Sequence, residues 1–371
     1  MIYANSYDQL RLAQLQVGTS LSATSELWAS SELLAGIPAI ATCSSSRVLR
    51  PGDPNSVPLE APLTILDHFA SNIHIVVLFA FSPPTLPNDV LIAGLSKALL
   101  LFSTLAGRLD YSRRLRRPCL IVSDGGDGAL VVEPAVSLNL SNHLPSRVAD
   151  GQSMSIFFTA WEQTVRGAFI DRPPVYDQSW LKPRCPPQCE FNHWGLEFAP
   201  LNSLSVNRID VDPSEITNML IRYSVDFIQK LHRKAEGKYT TFETVIGHLW
   251  RKITVACRLE DRVQTMVRVS VNGRTRLKPS VPNEFFDNLV LNAYPQATAK
   301  DLIDEGLPGA AMMIHEAIRR VDDRYIQSFI DFRELYGDKE LVLMYDVDGN
   351  VLSPMLEEHA KMLRQISHSL D

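Results

Sequence analysis

Short apolar, β-branched runs alternate with capped amphipathic stretches along most of this chain, and that alternation restricts it to mixed α/β architectures. Residues 73–81 read IHIVVLFAF, as a buried strand does. The break PPTLPND follows. Asn88 or Asp89 is then placed to cap a helix through Thr104, with Leu91, Leu95, Ala98 and Phe102 on one face. A second helix is expected over residues 153–168, burying Phe157, Ala160, Trp161, Thr164 and Ala168. Asp212, Pro213 and Glu215 combine a cap, a first-turn proline and a capping-box carboxylate. They open a helix that turns Ile216, Leu220, Phe227 and Leu231 inward. Thr240 and Glu243 form a second capping box, ahead of a helix through Ala256. Strands at 263–271, 289–294 and 340–345 and helices at 307–321 and 354–369 complete the pattern. SDGGDG (123–128) lies between apolar runs. It lacks the Lys-Ser or Lys-Thr of a phosphate loop, so a hairpin turn is expected.

A chain of 371 residues exceeds what one core usually holds, so two domains are expected. Residues 1–44 lack a strong period and read as an N-terminal appendage. Residues 45–175 form a first domain, 176–211 a proline-rich crossover and 212–371 a second domain. A net charge of −6 argues against a surface that tracks nucleic-acid phosphates. Five scattered cysteines do not make a disulfide framework and fit a reducing compartment. The N-terminus does not read as a signal peptide, and its longest apolar stretch (33–41) is too short for a membrane span. The expectation is a cytoplasmic protein with no membrane partner.

Several blocks then match one family in order and spacing. SSRVLRP (45–51), PLTILDH (62–68), LIAGLSKALLLFSTLAGRL (91–109), ADG (149–151) and RGAFIDRPPVYDQSWLKPRCPPQCEF (166–191) resemble the first half of a plant BAHD acyltransferase. TTFETVIGHLWR (240–251), VNGRTRLKPSVPNEFFDN (271–288) and RYIQSFIDF (324–332) resemble its second half. PVYDQS, PRCPP and SFIDF look most like the branch that acylates agmatine or tryptamine with hydroxycinnamoyl or benzoyl groups. The resemblance implies two similar α/β domains of the chloramphenicol acetyltransferase-like type, a tunnel between them, and a monomer. It also implies acyl-CoA as co-substrate, a small amine or alcohol acceptor, and no metal or permanently bound cofactor. In the family, the histidine of H-x-x-x-D-G takes a proton from the acceptor as it attacks the thioester, while fixed donors meet the oxyanion.

This sequence departs from that pattern. Four residues before Asp150 stands Ser146, and a hydroxyl without its own activator is a very weak base. Only NLSNHLPSRV (139–148) fills the place of a long family segment whose strand delivers the histidine, so the N-terminal half is expected to be incomplete. The D-F-G-W-G motif is missing after SFIDF. The two gaps point to a mis-spliced transcript or a decaying gene copy. Asp287 stands where the family's F-x-G-N has glycine. If that position has positive φ, the substitution costs about 1 kcal/mol. The resemblance therefore implies an acyltransferase lacking its usual base. The alternative is a non-catalytic relative that binds acyl-CoA or a partner protein.

The resemblance gives Asp150 a structural role, paired with Arg274, and makes Gly151 and Asn288 structural companions. His143 is the candidate substitute base, although Pro145 separates it from Asp150 and its register differs from the family's histidine. Cys185, Cys189 and His193 are spaced like metal ligands, but prolines crowd them and no fourth ligand is evident, so no metal site is expected. His248 reads as a packed or partly exposed helix residue, and His315, His359 and His368 as surface or rim residues. Trp161 and Trp250 read as core. Gly151-Gln-Ser153 fails the spacing of a serine-hydrolase elbow.

Overall fold

The computed structural model describes residues 2–5, 42–49, 59–69, 86–114, 117–122, 128–135, 149–194, 197–200, 221–336, 341–343 and 357–370. In chain order the first elements are β1 (Ile2–Asn5), β2 (Thr42–Leu49), β3 (Leu59–Pro62), α1 (Ile65–Phe69), α2 (Asn88–Leu101), β4 (Arg108–Ser112), β5 (Arg117–Val122), β6 (Ala129–Ala135) and α3 (Gly151–Val165). Next come β7 (Phe198–Pro200), α4 (Val225–Lys234), α5 (Thr241–Ala256), β8 (Gln264–Val267), β9 (Val269–Asn272), β10 (Val290–Ala293) and β11 (Gln296–Thr298). The last are α6 (Ala299–Asp304), α7 (Gly306–Arg320), α8 (Asp323–Tyr336), β12 (Leu341–Leu343) and α9 (Glu357–Ile366). The chain forms two compact units. The N-terminal unit takes Ser22–Lys182 together with Pro279–Leu289, and the C-terminal unit takes Met1–Leu21, Pro183–Lys278 and Val290–Asp371.

In the N-terminal unit β5 lies between β3 and β4, antiparallel to both, while β2 pairs with β6. The strands flanking SDGGDG therefore sit in different sheets. The expected hairpin does not form, because turn chemistry does not determine which strand becomes the partner. Helix α2 starts after Pro87 with no side-chain cap, so neither Asn88 nor Asp89 caps it. It stops at Leu101, and a 3₁₀ turn (Ser103–Ala106) follows. Helices α2 and α3 approach closely at Gly94, where a Cβ would collide with the Val165 side chain. Two α3 side chains bond back to α2 carbonyls: Trp161 Nε1 to Leu91 O (2.9 Å) and Thr164 Oγ1 to Gly94 O (2.7 Å). Trp161 is thus only partly buried, at the edge of the core. Phe102 stands edge-on to Phe157 and Phe286, with ring centroids 5.4 and 5.0 Å away, and anchors the apolar cluster between the helices. Phe286 belongs to the Pro279–Leu289 segment.

In the C-terminal unit β8 lies between β1 and β11. Ile2–Asn5, within the stretch read as an appendage, is thus a paired strand. The pairs β9–β10 and β7–β12 are also antiparallel. Helix α5 carries the full capping box of Thr240 and Glu243. It packs on α7 where Gly247 leaves room for the Ala310–Ala311 backbone. Trp250 is fully buried and donates to Thr265 Oγ1 at 3.0 Å. Ser224 caps α4, and residues 221–224 are not helical, so Phe227 and Leu231 lie on a separate short helix rather than on a continuous one from Asp212. The Asp212 box and the 73–81 strand lie outside the described residues.

Candidate active site

Asp150 is buried at the start of α3 and caps it, Oδ1 accepting from the Ser153 N–H at 2.9 Å. Its Oδ2 accepts from the Leu289 N–H, also at 2.9 Å. Ser153 Oγ donates to Asp287 O (3.0 Å) and accepts from the Asp287 N–H (3.2 Å). The start of α3 and the 285–289 backbone are therefore tied at three points. Gly151 is exposed with open space where a Cβ would stand, so packing does not require glycine there.

Asn288 carries the network further. Its Nδ2 donates to Asp67 Oδ1 at 2.8 Å, and its backbone N–H donates to Asp287 Oδ1 at 2.8 Å. Asp67, on α1, also receives the Thr64 N–H (2.6 Å) and hydroxyl (2.8 Å) on Oδ2. Gln178 Nε2 donates to Asp287 Oδ2 at 2.8 Å. Asp67 and Asp287 share a side-chain hydrogen bond, and burial pushes both carboxyls up, Asp287 the further. Among the described residues the non-glycine positions with positive φ are Glu236 and Arg258, so Asp287 does not incur the left-handed strain.

The two carboxyls line a cavity of about 350 Å³ with Leu63, Thr104, Tyr176 and Phe286. The Tyr176 hydroxyl donates to Leu101 O at 2.8 Å, and burial pushes its pKa up to about 12. Asp67, Gln178 and Tyr176 were not singled out from sequence. The only signal was their position inside PLTILDH and PVYDQS.

His143 and Ser146 lie outside the described residues. Arg274 belongs to the C-terminal unit, where it is fully buried and its N–H donates to Asn272 Oδ1 at 3.0 Å. His193 is buried between Glu197 and Ser328, with Nδ1 2.9 Å from Glu197 Oε2 and Nε2 3.1 Å from Ser328 Oγ. That string has the order of a catalytic triad. However, Ser328 is fully buried and its oxygen accepts the Glu190 and Phe191 N–H groups, so it is held as an acceptor rather than presented as a nucleophile. Cys185 and Cys189 are exposed, and no group of three metal-ligating side chains occurs among the described residues. His248 is buried and bonds Ser367 O through Nε2 at 2.6 Å, and burial lowers its pKa to about 4. His315 bonds Glu243 at 2.9 Å, and His368 bonds Arg222 O at 2.8 Å.

Residues 135–350 match the model of the Transferase family. The chain belongs to that family, the BAHD acyltransferases. It is 31% identical to agmatine hydroxycinnamoyltransferase 1 of Oryza sativa subsp. japonica, covering 85% of this chain and 84% of the relative. It is 33% identical to agmatine coumaroyltransferase-1 of Hordeum vulgare, covering 80% and 78%. The rice match extends over 379 positions although only 85% of this 371-residue chain takes part, so the relative carries sequence within the matched span that this chain lacks. Vinorine synthase has a similar fold (TM-score 0.56, 17% identity, 81% of each chain), as does TRI101 of F. sporotrichioides in complex with coenzyme A and T-2 (TM-score 0.52, 11% identity, 76% and 78%). The fold class is therefore that of the α/β family acyltransferases. No helix among the described residues is long and apolar enough to cross a membrane.

Proposed function

We propose that this chain transfers a hydroxycinnamoyl, benzoyl or similar acyl group from coenzyme A to a small amine, with an alcohol as the less favoured acceptor. The observation that carries this reading is the match to amine hydroxycinnamoyltransferases over most of the chain. The acceptor nitrogen attacks the thioester carbonyl, the C–N bond forms, the C–S bond breaks, and the thiol of coenzyme A leaves. No permanent cofactor takes part, and the enzyme works as a cytoplasmic monomer. In this reading Asp150 is an anchor rather than a reagent. Its two backbone hydrogen bonds support the anchoring role.

Ser146 in place of the family's histidine favours a second reading, a non-catalytic relative that keeps acyl-CoA binding. A missing general base costs about 10²–10⁴-fold in rate, or roughly 3–5 kcal/mol of barrier. Calorimetric titration with coumaroyl-CoA, beside a turnover assay with agmatine, separates the two. Binding with slow amide formation supports transfer. Binding without amide supports the non-catalytic reading. A chain that binds no acyl-CoA refutes both.

A further inference from the structure

We propose that the carboxyl pair Asp67–Asp287 binds the nitrogen of a cationic primary amine in the cavity it lines and accepts a proton from that nitrogen. The inference deepens the acyl-transfer reading and rests on it for the steps after binding.

Three observations carry it. First, the two carboxyls are hydrogen-bonded to each other and are both at most 7% exposed. At contact, in so little solvent, two like charges are not both maintained, so the pair holds one proton and one negative charge. Second, the pair is fixed in place. Thr64 and Asn288 hold Asp67, and Gln178 and the Asn288 N–H hold Asp287, all at 2.6–2.8 Å. Third, Thr104 Oγ1 lies on the same cavity wall, near the Tyr176 hydroxyl, yet is buried with no well-formed hydrogen bond. A buried polar atom in that state is normally completed by a ligand or water. The cavity volume is of the size that small ligands occupy. Among the described residues its other titratable lining groups are Glu60 and Tyr176, with no lysine, arginine or histidine.

The amine enters as an ammonium ion and gives one proton to the ionised carboxyl, leaving a neutral amine and a fully protonated pair. In a low-dielectric cavity that exchange is favoured over keeping two opposite charges. The nitrogen then attacks the thioester, a second N–H proton goes to the departing thiolate, and the pair returns its extra proton to solvent. The pair thereby supplies a proton acceptor that Ser146 cannot.

The test is calorimetric titration of the whole chain with agmatine and with tryptamine, without acyl-CoA. The proteins compared are the wild type, Asp287→Asn and Asp67→Asn. Thermal melts establish that each variant is folded, and Asp287→Gly serves as a second removal of the carboxyl. The expected result is binding by the wild type, weakened about tenfold or more in each variant and falling as pH drops from about 8 to about 5. Wild-type protein that binds neither amine, or variants that bind as tightly as wild type, overturns the inference. Charge-dependent amine binding, with no amide formed once coumaroyl-CoA is added to the wild type, supports the inference and counts against the acyl-transfer reading alone.

Discussion

Asp150 and Leu289 stand 139 residues apart in sequence, and the Leu289 N–H donates to Asp150 Oδ2 at 2.9 Å. The same carboxylate caps α3 through the Ser153 N–H. One buried side chain thus satisfies two backbone donors that would otherwise lose water without compensation. The aspartate of H-x-x-x-D-G keeps this structural work in a chain with serine at the histidine position.

Asp150→Ala removes both acceptors at once. The expected loss is about 2–4 kcal/mol in denaturant unfolding, combining a lost cap with an unsatisfied buried N–H. Asp150→Asn retains one acceptor oxygen and loses less.

Asp287→Asn has a pH-dependent sign. Burial raises the carboxyl's pKa in the folded chain, so the folded state binds more protons than the unfolded state between the two values. Its stabilising contribution is full below the unfolded value of 3.8 and is lost as pH rises through the folded one. The amide mimics the protonated acid and carries no charge to desolvate. Thermal melts are expected to show the variant more stable than wild type at neutral pH, by about 1 kcal/mol or more, with the gain vanishing in acid. A variant that is more stable yet binds amine less well is the pattern of a side chain kept for function.

His248 acts in the opposite direction. Burial lowers its pKa from 6.5 to about 4, so the unfolded chain binds the extra proton between those values. Its contribution is present above about pH 6.5 and is lost as pH falls toward 4. That amounts to roughly 3 kcal/mol. In His248→Gln, whose amide can still donate to Ser367 O, the stability–pH curve is expected to flatten across this window.

Phe102→Ala empties the centre of the N-terminal core, where Phe102 is fully buried against Phe157 and Phe286. A loss of about 3–5 kcal/mol in unfolding free energy is expected.

Features set by nearby residues were legible in the sequence. The Thr240–Glu243 box marked the start of α5, and the apolar spacing located α3 and α7 to within a few residues. Features set by distant partners were not. The strands beside SDGGDG chose partners in separate sheets, which local turn chemistry does not encode. Asn288 reaches Asp67 across 221 residues, and nothing in PLTILDH alone marks an aspartate that will hydrogen-bond to Asp287. Family motifs led to Asp150 and Asn288 because those positions match the pattern. Asp287 departs from it, and the structure places that departure on the wall of a cavity.

The most direct measurement is mass-spectrometric detection of amide when the purified chain is incubated with coumaroyl-CoA and agmatine, beside the Hordeum vulgare agmatine coumaroyltransferase. The expected result is coumaroylagmatine formed with matching release of free coenzyme A, about 10²–10⁴-fold more slowly than by the barley enzyme. Amide formation no faster than in a protein-free control, from a chain that melts cooperatively and binds acyl-CoA, would contradict acyl transfer.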